Sequence, residues 1–299
     1  MRLIGELAEP EFWLNLWEKT RRESPLSRRR KRSEEELIAL WDQRAPSFAR
    51  HVMGERGRKR QQEVLDVLRQ EGALRPGMRV LDIGAGPGTF ALVLAREGME
   101  VTALEPSREM LRFLEEQARQ ENLPITCVRS TWQEVDLDRE GWRERFDLVL
   151  ASMTPGVNDP ATFLKFMEAS RECCLYCAFA GPRWDRAHEE LWRYFFQEDI
   201  GGSPSDIIFP FLYLYTSGYR PILRFSTEIR EEAIPVEQVI EELERFFWQY
   251  LDITPEVKET IERYVRERSF GETYRWKRCF CRGIMFWRVK EVYFPPQIE

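Results

Sequence analysis

Val80-Leu81-Asp82-Ile83-Gly84-Ala85-Gly86-Pro87-Gly88-Thr89-Phe90 is the stretch from which the rest of the chain can be read. Val80 to Ile83 is an apolar run broken by one acid, as at the end of a buried strand. Gly84, Gly86 and Gly88 make a tight turn, and Phe90-Ala91-Leu92-Val93-Leu94-Ala95 begins a helix. Glycine lets the backbone approach a ligand closely, and the first N–H groups of a helix have no partner within it. Strand, turn and helix start together form a cradle of nucleotide size.

Spacing separates the uses of such a turn. A Walker A loop needs Gly-Lys-Ser/Thr, but Thr89 and Phe90 follow Gly88, without a lysine. The dinucleotide fingerprint asks for Gly or Ala at its sixth position, where this chain has Thr89. What stands here is Asp-x-Gly-x-Gly-x-Gly. An acid ahead of the turn suits a ligand carrying an ammonium and a sulfonium, and repels a pyrophosphate. The stretch closely resembles the first motif of class I S-adenosylmethionine-dependent methyltransferases.

Three further segments carry the resemblance. About twenty residues on, Val101-Thr102-Ala103-Leu104-Glu105 reads as a second buried strand ending in a carboxylate that can accept both ribose hydroxyls. Glu105-Pro106-Ser107-Arg108-Glu109-Met110-Leu111 matches the family's acid-x-Ser-x-x-Met-Leu pattern, which places Met110 near the adenine. Ile125 to Val128 reads as a third strand, followed by Ser130-Thr131-Trp132. Relatives often have an aspartate near Ser130 for the adenine amino group. Without it, that contact falls to Thr131 or a backbone group, with Trp132 as a stacking face. Residues 146–153 resemble the fourth strand and the lip of the active site, ending in Ser152 and Met153.

The resemblance implies an α/β, Rossmann-like doubly wound sheet of order 3-2-1-4-5-7-6 with strand 7 antiparallel. It implies S-adenosylmethionine as cofactor, with S-adenosylhomocysteine as product. The residues expected around it are Asp82 near the methionine end, Gly84, Ala85, Gly86, Gly88 and Thr89 in the turn, and Glu105 at the ribose. Pro106, Met110, Thr131, Trp132, Ser152 and Met153 complete the set.

Composition agrees with an enzyme of this kind. The 299 residues are 43% hydrophobic and include 10 Trp and 19 Phe, enough for a large core. No apolar run reaches the ~18 residues of a membrane span. Glu6, Glu9 and Glu11 make the N-terminus unlike a secretory signal. The net charge of −6 does not favour nucleic acid, and the expected location is cytoplasmic.

Ahead of the glycine turn, residues 7–22 carry Leu7, Phe12, Trp13, Leu16 and Trp17 at helical spacing. Such a stripe serves either core packing or, in methyltransferases, a lid over the substrate pocket. Arg28-Arg29-Arg30-Lys31-Arg32 precedes Ser33, whose capping box with Glu36 starts a helix. The run reads as a solvated linker, with phosphate or RNA contact as the sharper alternative. Trp41-Asp42-x-x-Ala45-x-x-Phe48 resembles a segment that, in small-molecule methyltransferases, folds over the methionine end of the cofactor. His51, a turn further on, is either an exposed structural histidine or a general base. Residues 56–71 form the helix entering the first strand.

Beyond the fourth strand, Ser152-Met153-Thr154-Pro155-Gly156 replaces the Asn/Asp-Pro-Pro-aromatic often found in methyltransferases acting on base amino groups. Residues 161–172 read as a helix and 173–180 as the fifth strand. Helices follow at 184–196 and 207–215, then a strand at 222–229, helices at 235–251 and 255–268, and a final strand at 277–290. The expected domains are an N-terminal helical cap or lid, 1–55, and a methyltransferase domain, 56–299. The latter carries an aromatic insertion at about 182–221 and a helical pair at about 235–268.

Six cysteines without small-secreted-protein spacing read as free thiols. The family's strand order places Cys173, Cys174, Cys177, Cys279 and Cys281 on neighbouring strands five and seven. Alternation sends Cys173 and Cys174 to opposite faces, so no metal site is expected. The expected function is in-line methyl transfer to a small, partly apolar metabolite, in a pocket walled by Trp13, Trp17, Trp41, Tyr213 and Tyr215. One rival is an RNA or protein methyltransferase using residues 28–32. The other is a non-catalytic partner-binding protein that retains the cofactor. Acceptor atom and oligomeric state are not legible.

Overall fold

The apolar runs pair into one seven-stranded sheet of order β3-β2-β1-β4-β5-β7-β6. The computed structural model describes Gly5, residues 7–181 and residues 183–293; residues 1–4, Glu6, Pro182 at the expected insertion boundary, and residues 294–299 lie outside the described residues. The strands are β1 (Arg79–Ile83), β2 (Glu100–Leu104), β3 (Ile125–Val128), β4 (Phe146–Ser152), β5 (Ser170–Phe179), β6 (Ile222–Pro235) and β7 (Thr273–Arg288). Neighbours from β3 to β5 pair in parallel, and β7 runs antiparallel to both β5 and β6. The expected order and the antiparallel seventh strand are both present.

Parallel strands need helices on both faces, and each face here has its own apolar layer. The helices before the sheet are α1 (Pro10–Glu23), α2 (Pro25–Arg28), α3 (Glu34–Val52) and α4 (Glu55–Gln70). Within the first half of the sheet come α5 (Ala91–Arg96), α6 (Arg108–Gln120) and α7 (Pro160–Glu168). On one face, Leu65 and Leu68 of α4, Leu94 of α5 and Leu114 of α6 meet Val80, Ala103 and Leu148. On the other, Phe163 and Phe166 of α7 pack with Tyr176 and Trp287.

The remaining helices are α8 (Arg186–Phe196), α9 (Ile208–Thr216), α10 (Val236–Trp248) and α11 (Pro255–Glu267). Their placement follows from a long hairpin. β7 pairs with β5 only from Arg282 to Arg288, whereas its ladder with β6 runs the full length from Pro235↔Thr273 to Ile222↔Phe286. Because β7 runs against β5, residues 273–281 project past Phe179, beyond the carboxyl edge of the parallel strands. At about 3.3 Å per residue this projection is roughly 30 Å long. Helices α10 and α11 close its tip, and with α8 they bury Trp192, Leu243, Phe247, Val265 and Trp276 in a third apolar cluster. A helical unit therefore stands above the edge where open α/β sheets bind ligands.

Of the two readings of α1, core packing fits Trp17, which is fully buried, lies 5.8 Å from Phe163 and 6.4 Å from Phe209, and donates from Nε1 to the Pro204 carbonyl at 3.2 Å. The basic run is an exposed linker between helices, as expected, and four of its five cations are paired. Arg28 and Arg29 each reach Glu198 at 2.8 Å, while Lys31 and Arg32 reach Asp252 at 2.8 and 2.9 Å. It straps α2 to the helical unit, each exposed pair contributing only about 0–1 kcal/mol. Cys279 and Cys281 lie on β7, opposite Ile229 and Thr227, and the Cys281 carbonyl accepts from Ala180 N–H just past β5, so five cysteines sit on the neighbouring strands five and seven as expected. Cys173 and Cys174 face different apolar layers. No cluster suited to a metal occurs among the described residues.

Trp17→Ala should therefore destabilise the fold by about 3–5 kcal/mol, as for other buried tryptophans. Urea denaturation measures this. A loss under ~1 kcal/mol, accompanied by reduced turnover, would return α1 to the role of a lid.

Candidate functional site

The glycine turn is shaped by what lies against it. At Gly84, with φ +71°, a Cβ would stand 2.1 Å from Thr154 Oγ1, so the loop after β4 closes directly onto the turn. At Gly86, with φ +55°, a Cβ would find only Phe48 Cε1, at 3.9 Å. The turn thus has a tight side and a roomy side, and the roomy side faces α3. The N–H groups of Gly84 and Ala85 donate to the Leu104 carbonyl at 2.8 and 3.1 Å, tying the turn to the end of β2. Gly88 serves the contact between α5 and α6, where Leu92 and Leu114 press on it. Thr89 turns its carbonyl to Gln61.

Glu105 is held in place by backbone donors. Its Oε2 accepts from Gly86 N–H and its Oε1 from Ser107 N–H, both at 2.9 Å. Each oxygen keeps capacity for a further donor, as a vicinal diol requires. Burial raises its pKa, resisted by those two N–H groups, and the nearby Asp42 adds to the rise. Asp82 sits deeper. Its Oδ2 accepts from Ala91 N–H at 3.1 Å, bracing the start of α5. Burial pushes its carboxyl up to about 7; the Ala91 N–H opposes this and the charge of Glu105 adds to it. Among the described residues neither acid has a cationic partner.

Helix α3 latches over this site through Asp42. Its Oδ1 accepts from Ser107 Oγ at 2.6 Å and from Glu109 N–H at 3.1 Å, at the start of α6. Ser107 Oγ in turn caps Met110 N–H at 3.2 Å. The other end of α3 is set by the Ser33–Glu36 capping box, which forms as its sequence suggests. Trp41 and Phe48 meet edge to face at 5.4 Å, so the helix presents an aromatic surface towards the turn. Asp42 was not among the expected site residues. A signal was present: Ile38, Ala39, Ala45 and Pro46 offer no basic partner within its own helix.

The other expected residues divide. Met110 is buried in the first turn of α6, and half-buried Pro106 follows Glu105. Thr131 lies in the loop after β3, its Oγ1 accepting from Glu134 N–H at 3.3 Å. Trp132 is buried, gives its Nε1 proton to the Thr162 carbonyl at 3.0 Å and has Lys165 over its ring at 4.7 Å. It is a core residue and offers no free stacking face. Ser152 ends β4, and exposed Met153 follows it with φ +55°. His51 lies at the end of α3, and its pKa is lowered by burial and by Arg60 and Arg56.

The expected pocket walls do not converge either. Trp17 and Tyr213 both pack on Phe163. Trp13 donates to the Leu7 carbonyl at 3.0 Å. Tyr215 is 53% exposed. Only Trp41 remains beside the turn. Two surface hollows, of about 320 Å³ beside Asp185 and Trp276 and about 580 Å³ beside Gln133 and Lys165, lie away from it.

Residues 80–173 match the family described as a methyltransferase domain. An uncharacterised protein of Haemophilus influenzae is 34% identical over 122 residues, covering 40% of this chain and 41% of that protein. A ubiquinone biosynthesis O-methyltransferase of Bradyrhizobium diazoefficiens is 38% identical over 90 residues, 30% of this chain and 34% of the relative. A 23S rRNA uracil methyltransferase of Shewanella sediminis is 33% identical over 106 residues, 35% of this chain and 24% of the relative. The matched stretches thus span well under half the length of these relatives. Among solved structures, magnesium protoporphyrin IX methyltransferase from Synechocystis, with bound S-adenosylhomocysteine, has the same fold. Its TM-score is 0.50 at 14% identity, over 85% of this chain and 98% of that one. Sheet order, glycine turn and domain match agree: residues 80–173 match a methyltransferase domain and lie in a sheet with that fold's strand order.

Proposed function

We propose that the protein transfers a methyl group from S-adenosylmethionine to a small, partly apolar molecule held between the carboxyl edge of the sheet and the helical unit. The observation that carries this reading is Glu105, fixed by Gly86 and Ser107 N–H groups beside a turn whose open side faces Phe48. When bound, the cofactor supplies a methyl already activated by its sulfonium, which a nucleophile displaces in line. The chain's own work is then positioning and the exclusion of water.

Glu105 would accept the ribose hydroxyls, and the first turn of α6, with Met110, would border the adenine. Ser152, Met153 and Thr154 would border the methionine end, under Trp41 and Phe48. The unpaired acids favour a ligand with positive charge. His51, exposed at the end of α3 about one helical turn after Phe48, is the imidazole we assign to take a proton from the acceptor.

Relatives that are ubiquinone biosynthesis O-methyltransferases support a small acceptor. A relative acting on 23S rRNA keeps the RNA reading in view. Against it, four of the five basic residues at 28–32 already hold Glu198 or Asp252.

Glu105→Ala should weaken S-adenosylhomocysteine binding by about 1.5–3 kcal/mol for each charge-assisted hydrogen bond lost. Unchanged affinity in calorimetry would mean that this acid does not hold the ribose. His51→Gln should lower kcat by about 100-fold or more and leave that affinity alone. A kcat equal to wild type would remove His51 from the chemistry, and no methylation of any metabolite pool would favour a non-catalytic role.

A further inference from the structure

Partly buried arginines on the hairpin have carboxylate partners: Arg230 with Glu228, Arg278 with Glu242, and Arg282 with Glu63. Arg183 does not. It follows β5 by four residues, and its guanidinium carbon lies 4.3 Å from the centroid of the Phe179 ring and 4.1 Å from that of the Trp184 ring. No carboxylate is among the groups that set its pKa, which burial brings down to about 10; Arg30, of like charge, lowers it further and the Tyr250 phenol opposes. Beside it, Trp184 Nε1 is buried without an acceptor among the described residues.

An uncompensated cation in a largely dry site is unfavourable unless something arrives to pair with it. A guanidinium donates in its own plane, and the two aromatic rings stacked near that of Arg183 leave its edge for an acceptor. That geometry fits a planar, two-oxygen acceptor. Among the described residues Arg183 and Trp184 Nε1–H have no acceptor, and Arg30 is near enough for its charge to act on Arg183.

We propose that Arg183, with Arg30 and Trp184 Nε1–H, binds a carboxylate of the methyl-accepting substrate. The assignment rests on the methyltransferase reading and narrows its substrate class to small carboxylic acids. Its position suits the task. β5 is the second strand from β1, so its end lies about 10 Å from the glycine turn, two strand spacings of about 4.8 Å. A molecule the size of a single-ring acid spans that gap, its carboxylate on Arg183 and its acceptor atom towards β4.

The test compares benzoate with its neutral isostere benzamide, titrated into protein saturated with S-adenosylhomocysteine. Wild type should bind benzoate at least about tenfold more tightly than benzamide. Arg183→Met should lose that preference, with S-adenosylhomocysteine affinity unchanged and melting temperature equal or higher. Arg183→Lys, which keeps the charge without the planar fork, should retain part of the preference and serves if the Met variant does not fold. Equal binding of acid and amide by wild type, or no binding of either while S-adenosylhomocysteine binds, would overturn the carboxylate site alone. So would a methionine variant that melts lower yet keeps its preference, since Arg183 would then be a structural strut. Failure of wild type to bind S-adenosylhomocysteine would overturn the methyltransferase reading itself, and the subsite with it.

Discussion

Three carboxylates, Asp42, Asp82 and Glu105, converge on one glycine turn, and among the described residues none has a cation opposite it. Backbone and hydroxyl donors hold them instead: Ala91 N–H for Asp82, Gly86 and Ser107 N–H for Glu105, Ser107 Oγ and Glu109 N–H for Asp42. Each bond also joins two elements. Asp82 fixes β1 to the start of α5, Glu105 fixes β2 to the turn, and Asp42 fixes α3 to the start of α6. The same groups that would receive a cationic nucleoside therefore hold its cradle together.

Charge is distributed with a polarity across the carboxyl edge. Acids gather at the ends of β1 and β2, and past the end of β5 stands the guanidinium of Arg183, without a carboxylate among the described residues. The projecting hairpin makes this arrangement possible. Without it, α8, α10 and α11 would have no surface above the sheet on which to bury Trp192, Phe247 and Trp276. The strap from Arg28 to Arg32 joins that unit to α3, linking the helical unit to the cofactor side through one continuous segment.

Much of this was legible in sequence. Parallel strands buried on both faces read as unbroken apolar runs, and β1 to β5 were found that way. The Ser33–Glu36 box is local and formed as read. What was not legible depended on distant partners. The second half of β6, with Arg230, Glu231 and Glu232, looks like a polar loop. In the fold, Arg56 meets Glu232 and Arg60 meets Glu228, from a helix more than 150 positions earlier in the chain. Helical periodicity marked Trp17 as facing something apolar but could not say whether that surface was core or pocket. Trp132 misled for a similar reason, because its cover comes from Thr162 and Lys165 on α7. The basic run is exposed as its composition suggests, but its partner acids, Glu198 and Asp252, lie far along the chain and are not legible locally.

The central claim is that the acid-lined turn receives a cationic nucleoside. Asp82 titrates in the fold at about 7, above its ordinary 3.8. Folding therefore favours its protonated form, and the ligand-free protein loses stability as pH rises from about 4 to about 7. A cationic ligand beside it favours the ionised form, so binding should release a proton below pH 7 and tighten as pH rises. Calorimetry of S-adenosylmethionine binding at pH 6 and pH 8, in buffers of different ionisation enthalpy, measures both effects. The account expects tighter binding at pH 8 and proton release at pH 6 that Asp82→Asn abolishes. Binding of NAD but not S-adenosylmethionine, or an affinity that does not change with pH, would contradict it.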